Sequence, residues 1–189
     1  MLYQHVFKRI FDLLIATLAL LVLSPLMLLT AVAIMLEDGP PALFRQERVG
    51  RECLAFTIFK FRSMPVATPS LPSSAASALR VTRVGAFIRR TNIDELPQLL
   101  NVLRGEMSIV GPRPGLKSQA QLMEMRRARG VDRLRPGLTG LAQVNSFDGM
   151  TDLQKVEWEA RYAGEVSFLA DLMIVLRTFT YLLKRPPVY

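Results

Sequence analysis

Asp94 and Glu95 stand side by side in Arg89-Arg90-Thr91-Asn92-Ile93-Asp94-Glu95-Leu96-Pro97. Adjacent acids close to a pair of arginines suit phosphoryl transfer. An ionised Asp can attack phosphorus as a covalent nucleophile, and a neighbouring carboxylate can hold Mg²⁺ against the phosphate oxygens that need neutralising. The competing reading is structural, because Asp and Asn cap helices and Glu is common in a first turn. A second source of cations follows. Ser108-Ile109-Val110-Gly111-Pro112-Arg113-Pro114 runs from an apolar stretch into a loop whose two prolines stiffen the chain around Arg113. A fixed guanidinium binds phosphate through two parallel hydrogen bonds. A plain proline-rich turn has the same composition. Together with Lys60, Arg62, Arg89 and Arg90, however, these residues supply two carboxylates facing several cations. In phosphoryl transfer, positioning and charge neutralisation do most of the catalysis.

The elements that must carry these side chains are partly legible. Leu96, Leu99, Leu100 and Leu103 recur at helical spacing, Pro97 suits a first turn and Gly105 a stop, which predicts a helix with both acids at its N-terminus. Ala55 to Phe61 is short, aromatic and β-branched, and predicts a strand that delivers Lys60 and Arg62; a buried edge strand with a solvated end is the structural alternative. Ser63 to Leu79 is rich in Ser, Pro and Ala and reads as a long loop, either a connector or a lid. Gly115 to Arg129 is polar and helix-prone and reads as a solvated helix with a basic end. Residues 165–185 predict an apolar helix capped by Ser167, with Phe168, Leu169, Leu172, Leu176, Phe179 and Leu183 on one stripe. That stripe is expected on the core or at a membrane interface, with Lys184 and Arg185 near headgroups, while Asp171 and Arg177 argue against a second span. Trp158 and Tyr162, four residues apart, are read as packing residues and Cys53 as a small core residue; His5 has no metal-ligand spacing around it.

Half of the 189 residues are hydrophobic and mean hydropathy is positive, high for a soluble chain of this size. The formal charge is +8, and beyond residue 40 there are 22 basic residues against 13 acids, a net +9. Nucleic acid, anionic lipid and phosphorylated small molecules all suit such a surface. Nineteen arginines against five lysines fit paired recognition of phosphate, or genomic composition. One cysteine excludes an internal disulfide framework.

Leu13 to Leu36 contains no formally charged side chain. A straight helix of that length would be about 36 Å, against a bilayer core of about 30 Å. Pro25 bends such a helix, and Ser24 can satisfy part of the freed backbone. Lys8 and Arg9 before the segment and Arg45, Arg48 and Arg51 after it suit a hairpin with both ends on the cytoplasmic face, and a kinked span stays equally open on these residues alone. A cleavable signal is disfavoured because the apolar stretch is too long.

The chain resembles the bacterial sugar transferases, the monotopic phosphoglycosyl transferases. The resemblance lies in Lys8-Arg9-Ile10-Phe11-Asp12, Ser24-Pro25, Phe44-Arg45-Gln46-Glu47-Arg48-Val49-Gly50, Phe59-Lys60-Phe61-Arg62-Ser63-Met64, Thr91 to Leu99, Gly105 to Pro114 and Arg135 to Gly140, in family order. It implies a helix-rich α+β fold. Residues 1–38 would be a re-entrant helix-break-helix at Ser24-Pro25, and residues 39–189 a small cytoplasmic α/β catalytic domain with interfacial amphipathic helices. The implied enzyme sits monotopically in the bacterial inner membrane and moves a sugar-1-phosphate from a UDP-sugar to undecaprenyl phosphate, releasing UMP, as the first membrane step of glycoconjugate assembly. By analogy Asp94 is the nucleophile, Glu95 a ligand of Mg²⁺ (or Mn²⁺ in its place), and Lys60, Arg62, Arg89 and Arg113 hold phosphates, with ping-pong kinetics. The oligomeric state stays open, a homodimer included. After Gly140 to Asn145 the chain departs from many relatives, having Ser146-Phe147-Asp148-Gly149 where they carry a glycine and an arginine. Longer relatives carry further transmembrane helices and an extra domain, so this chain looks like a minimal catalytic form. A nucleic-acid binder lacks its expected motifs here, and a non-catalytic membrane adaptor leaves the Asp94, Glu95 and Arg113 grouping without purpose.

Overall fold

The computed structural model describes residues 3–66, 81–145 and 150–182. The uncharged run falls within one long helix, α1 (Lys8–Asp38), entered through a π-turn at Tyr3–Phe7. Helical conformation continues through Pro25, which corrects the expected break into two helices. Pro25 has no N–H for the Leu21 carbonyl, and the Ser24 hydroxyl donates to that oxygen instead at 3.0 Å. The proline's main local cost is thereby offset.

Both ends of α1 dock on the same body. Near its start Lys8, Asp12 and Ala16 are buried, near its end Thr30 and Ile34. Between them Leu14, Leu18, Leu21, Val22, Leu28 and Leu29 are each 61% or more exposed. At the first end the Lys8 ammonium lies 2.7 Å from Asp171, and the Asp12 carboxylate accepts from the Ser108 hydroxyl and the Ile109 amide at 2.9 and 3.0 Å. At the second end Ile34 packs with Phe61 and Ile88, and the Glu37 carboxylate accepts from the Arg83 and Val84 amides.

Strands β1 (Leu43–Val49) and β2 (Ala55–Phe61) pair antiparallel, Leu43 opposite Phe61 and Val49 opposite Ala55. The predicted strand is therefore present at the predicted bounds. Their connection carries Glu52 and Cys53 at φ 54° and 61°. Cys53 is half-buried in this turn rather than a core residue, its sulfur accepting from Arg127 at 3.3 Å. Helix α2 (Arg83–Arg90) leads into a 3₁₀ turn, Ile93–Gln98, and then α3 (Leu99–Arg104), stopped by Gly105 at φ 84°. The leucine stripe expected along this segment does not form one buried face: Leu99 is buried, whereas Leu100 and Leu103 are 37% and 36% exposed. Three residues per turn in the 3₁₀ stretch shift the phase of everything after it, and Leu99, Asn101 and Val102 point inward instead.

A second, parallel pair joins β3 (Ser108–Val110) to β4 (Gly137–Thr139). The start of β4 touches the residue that follows β3: a Cβ on Gly137 would lie 2.1 Å from the Gly111 nitrogen, so only glycine fits. Helices α4 (Ala120–Ala128), α5 (Leu141–Asn145), α6 (Asp152–Gly164) and α7 (Phe168–Leu182) complete a helix-rich α+β fold. Leu99, Val102, Met107, Ile109, Val110, Tyr162 and Ile174 form the main core with Ala16 of α1. Tyr162 packs there as predicted, its hydroxyl 2.5 Å from Asp171. Ser167 caps α7 through the Ala170 amide. Phe168, Leu169, Leu176 and Phe179 of the apolar stripe are exposed, which favours the interfacial alternative over the core. Residues 67–79 of the expected loop, the 146–149 departure, Leu183, Lys184 and Arg185 lie outside the described residues.

Candidate active site

The 3₁₀ turn lies along β2, and this contact brings the predicted cations and acids together. Lys60, the next-to-last residue of β2, places its ammonium 2.7 Å from Glu95 Oε1. From the proline-flanked loop after β3, Arg113 Nη2 reaches the same oxygen at 2.9 Å. Both cations thus share Oε1. Among the described residues Glu95 Oε2 takes no hydrogen bond, and neither does the Asp94 carboxylate. Neither residue serves as a helix cap: Asn92 sits at φ 55° with no side-chain cap, and Asp94 caps nothing.

The two acids are driven apart in acidity. Burial pushes Asp94 up to about 6, against the pull of Lys60, and the charge of Glu95 adds to the rise; Arg89 and Arg113 act to lower it. Burial acts on Glu95 in the same sense, but Arg113 and Lys60 outweigh it and hold that carboxyl at about 2. Neighbouring carboxylates with separated pKa values are characteristic of sites where each acid has its own task.

Of the predicted phosphate-binding cations, Lys60, Arg89 and Arg113 all bear on Asp94. Arg89 is aimed by a 2.7 Å bond from its Nε to the Ser63 hydroxyl. Arg62 is a correction. It is buried, and its Nη2 donates to the Asp38 and Gly39 carbonyls at 3.2 and 2.6 Å, beside the Asp38 carboxylate at 3.4 Å. The last carbonyls of α1 carry the negative end of the helix dipole and have no partners within the helix, so they capture this guanidinium for docking α1.

Two supporting residues escaped the sequence reading. Asn101 is fully buried in α3; its Oδ1 accepts from the Phe59 amide at 3.1 Å, and its Nδ2 donates to the Thr57 carbonyl and Glu106 at 2.7 and 2.6 Å. It fastens β2, and hence Lys60, to the segment bearing Asp94 and Glu95. Arg48 of β1 donates to Pro114 O and Gln46 at 3.4 and 2.6 Å, and burial together with the charge of Arg113 lowers its pKa. The Phe44 to Gly50 block contained it, but only the fold shows that it borders the loop of Arg113.

No group of three or more His, Cys, Asp or Glu side chains gathers among the described residues. An all-protein metal cage is therefore not what the donors suit. Mg²⁺ is usually held by one or two carboxylates together with water and substrate phosphate, and Glu95 Oε2 with the adjacent Asp94 oxygens fits that pattern.

A model of the bacterial sugar transferase family matches residues 3–185. The chain is 40% identical over 193 residues to the exopolysaccharide production protein PSS of Rhizobium leguminosarum bv. phaseoli, spanning 95% of this chain and 96% of that protein. It is 43% identical over 191 residues to the UDP-glucose:undecaprenyl-phosphate glucose-1-phosphate transferase of Caulobacter vibrioides, spanning 96% and 72%. An Escherichia coli protein of the same description is 40% identical over 186 residues, covering 93% of this chain and 40% of that protein. With the match running through α1, the paired acids and the loop of Arg113, this chain belongs to the bacterial sugar transferase family.

Proposed function

We propose that the protein is a phosphoglycosyl transferase that moves a sugar-1-phosphate from a UDP-sugar to a polyprenol phosphate, undecaprenyl phosphate in a bacterial membrane, and releases UMP. The observation that carries this reading is Asp94: a carboxylate without hydrogen-bond partners among the described residues, within the fields of Lys60, Arg89 and Arg113 and next to a Glu95 held ionised. An Asp oxygen attacks the sugar-bearing phosphorus, the bond from that phosphorus to the oxygen of UMP breaks, and an aspartyl phosphosugar remains. An oxygen of the polyprenol phosphate then attacks the same phosphorus, the bond to Asp94 breaks, and the carboxylate is regenerated with a sugar diphosphate polyprenol as product. Two displacements through one residue give ping-pong kinetics.

The residues divide the work. Asp94 ionises near pH 6 and is therefore mostly charged at neutral pH. Lys60, Arg89 and Arg113 neutralise phosphate oxygens, Arg113 from a loop whose prolines limit its motion. Glu95 would hold Mg²⁺, or Mn²⁺ in its place. That ion, when bound, supplies Lewis-acid neutralisation of the diphosphate.

Residues 1–38 act as a re-entrant membrane segment and 39–189 as the catalytic unit on the cytoplasmic face. Support comes from α1, whose two ends dock on one body while its middle exposes leucines, and from the exposed apolar side of α7. Incubation with a panel of UDP-sugars, Mg²⁺ and undecaprenyl phosphate tests the reaction. Continued turnover, read as UMP in excess of enzyme, that depends on one donor and on the acceptor is expected; no release with any donor would refute the reading.

A further inference from the structure

The loop bearing Arg113 is held in an unusual way. Pro112 and Pro114 have no N–H, so the segment is anchored mainly through its carbonyls, and four consecutive ones are taken by three elements, β4, α4 and β1. Pro112 O accepts from the Gly137 amide at 2.8 Å, Arg113 O from Arg126 Nη2 at 2.9 Å, Pro114 O from Arg48 Nη1 at 3.4 Å and Gly115 O from the Val49 amide at 2.9 Å. The bond at Arg113 itself comes from a side chain that is buried and paired. Arg126 is 5% exposed, and its Nε and Nη2 form a fork on Glu159, which is 2% exposed, at 2.8 and 2.5 Å. The sequence reading placed Arg126 on a solvated helix. It instead points inward from α4, between α6 and the loop.

We propose that the Arg126–Glu159 pair is a positioning device: Glu159 fixes the guanidinium of Arg126, which holds the main chain of Arg113 so that its side chain meets Glu95 and the donor's phosphates. This inference rests on the active-site role given to Arg113 above. A buried ion pair can often be replaced by apolar residues without loss of stability, so stability alone does not explain this one. Its third hydrogen bond, onto the backbone of a site residue, does. Misplacement of a catalytic group by about 1 Å costs up to about 100-fold in rate.

The test is a cycle of variants assayed in membranes or detergent with the full chain. Replacing the pair together, Arg126→Met with Glu159→Leu, should keep the thermal midpoint while kcat falls about 10- to 100-fold. In an Arg113→Ala background the same pair should change kcat by less than about threefold, because interactions that act through one residue are not additive. Full activity of the paired variant, or an equal loss in both backgrounds, would overturn the proposal. Should the paired variant fail to fold, Arg126→Lys serves in the same cycle; an ammonium keeps the charge but not the planar fork that spans Glu159 and the Arg113 carbonyl. Wild-type turnover by Arg113→Ala alone would contradict the active-site reading instead, whereas an impaired Arg113→Ala with additive losses contradicts only the positioning role.

Discussion

Replacing Asp94 by Asn should stabilise the protein, and by an amount that depends on pH. Burial raises the carboxyl from its ordinary 3.8 to about 6. The folded state therefore favours the neutral acid, and between those two values it binds more protons than the unfolded chain does. The wild type loses stability as pH rises through that window and keeps the deficit above it. At 1.36 kcal/mol per pH unit the deficit is at most about 3 kcal/mol, less whatever solvent screening removes from a half-buried group. Asn has the same shape and no proton to lose. In EDTA, to exclude divalent cations, unfolding in detergent followed by Trp158 fluorescence should give the variant a midpoint above wild type at pH 7.5, by at most roughly 6–12 °C at about 2–4 °C per kcal/mol for a chain of this size. The gap should close below about pH 4. A gap independent of pH, or a less stable variant at pH 7.5, would mean that no buried charge is being maintained at this position. A nucleophile held at a stability cost is a familiar trade between activity and stability.

Three further outcomes follow from the same contacts. Glu95→Gln should weaken Mg²⁺ activation, read as a rightward shift of the metal titration, and should also destabilise the fold because Lys60 and Arg113 lose their shared anion; an unchanged titration would remove Glu95 as a ligand. Asn101→Leu should cost roughly 2–4 kcal/mol in denaturant unfolding, since the Phe59 amide and Thr57 carbonyl are left without their partner; a neutral variant would show that water replaces the clamp. In a Cys53→Ser background, Gln4→Cys and Arg45→Cys should both react with an impermeant maleimide from the cytoplasmic face of membrane vesicles, and labelling from opposite faces would establish a spanning α1.

What could be read from the sequence divides along physical lines. Strand β2 and the Gly105 stop were legible because each rests on local chemistry, a short aromatic and β-branched run in one case and a left-handed backbone position in the other. Asp94, Glu95, Lys60, Arg89 and Arg113 were legible as a set because carboxylates and cations in such company are hard to explain otherwise, and family order reinforced them. Arg62 was misjudged for want of a long-range fact: α1 returns its carbonyl end to this strand and takes the guanidinium. Asn101 read as one more polar position on a short helix, since a 3₁₀ turn that rotates it inward leaves no periodic trace. Arg126 sat among other charges, and only the meeting of α4, α6 and the proline-flanked loop distinguishes it.

The central claim is a covalent step at Asp94. Mass spectrometry of the acid-quenched protein after incubation with the accepted UDP-sugar, without polyprenol phosphate, should show one added sugar phosphate on the peptide containing Asp94, with UMP formed in equal amount, and neither in Asp94→Asn. Turnover by Asp94→Asn, or UMP formed only when both substrates are present and with no adduct, would contradict it.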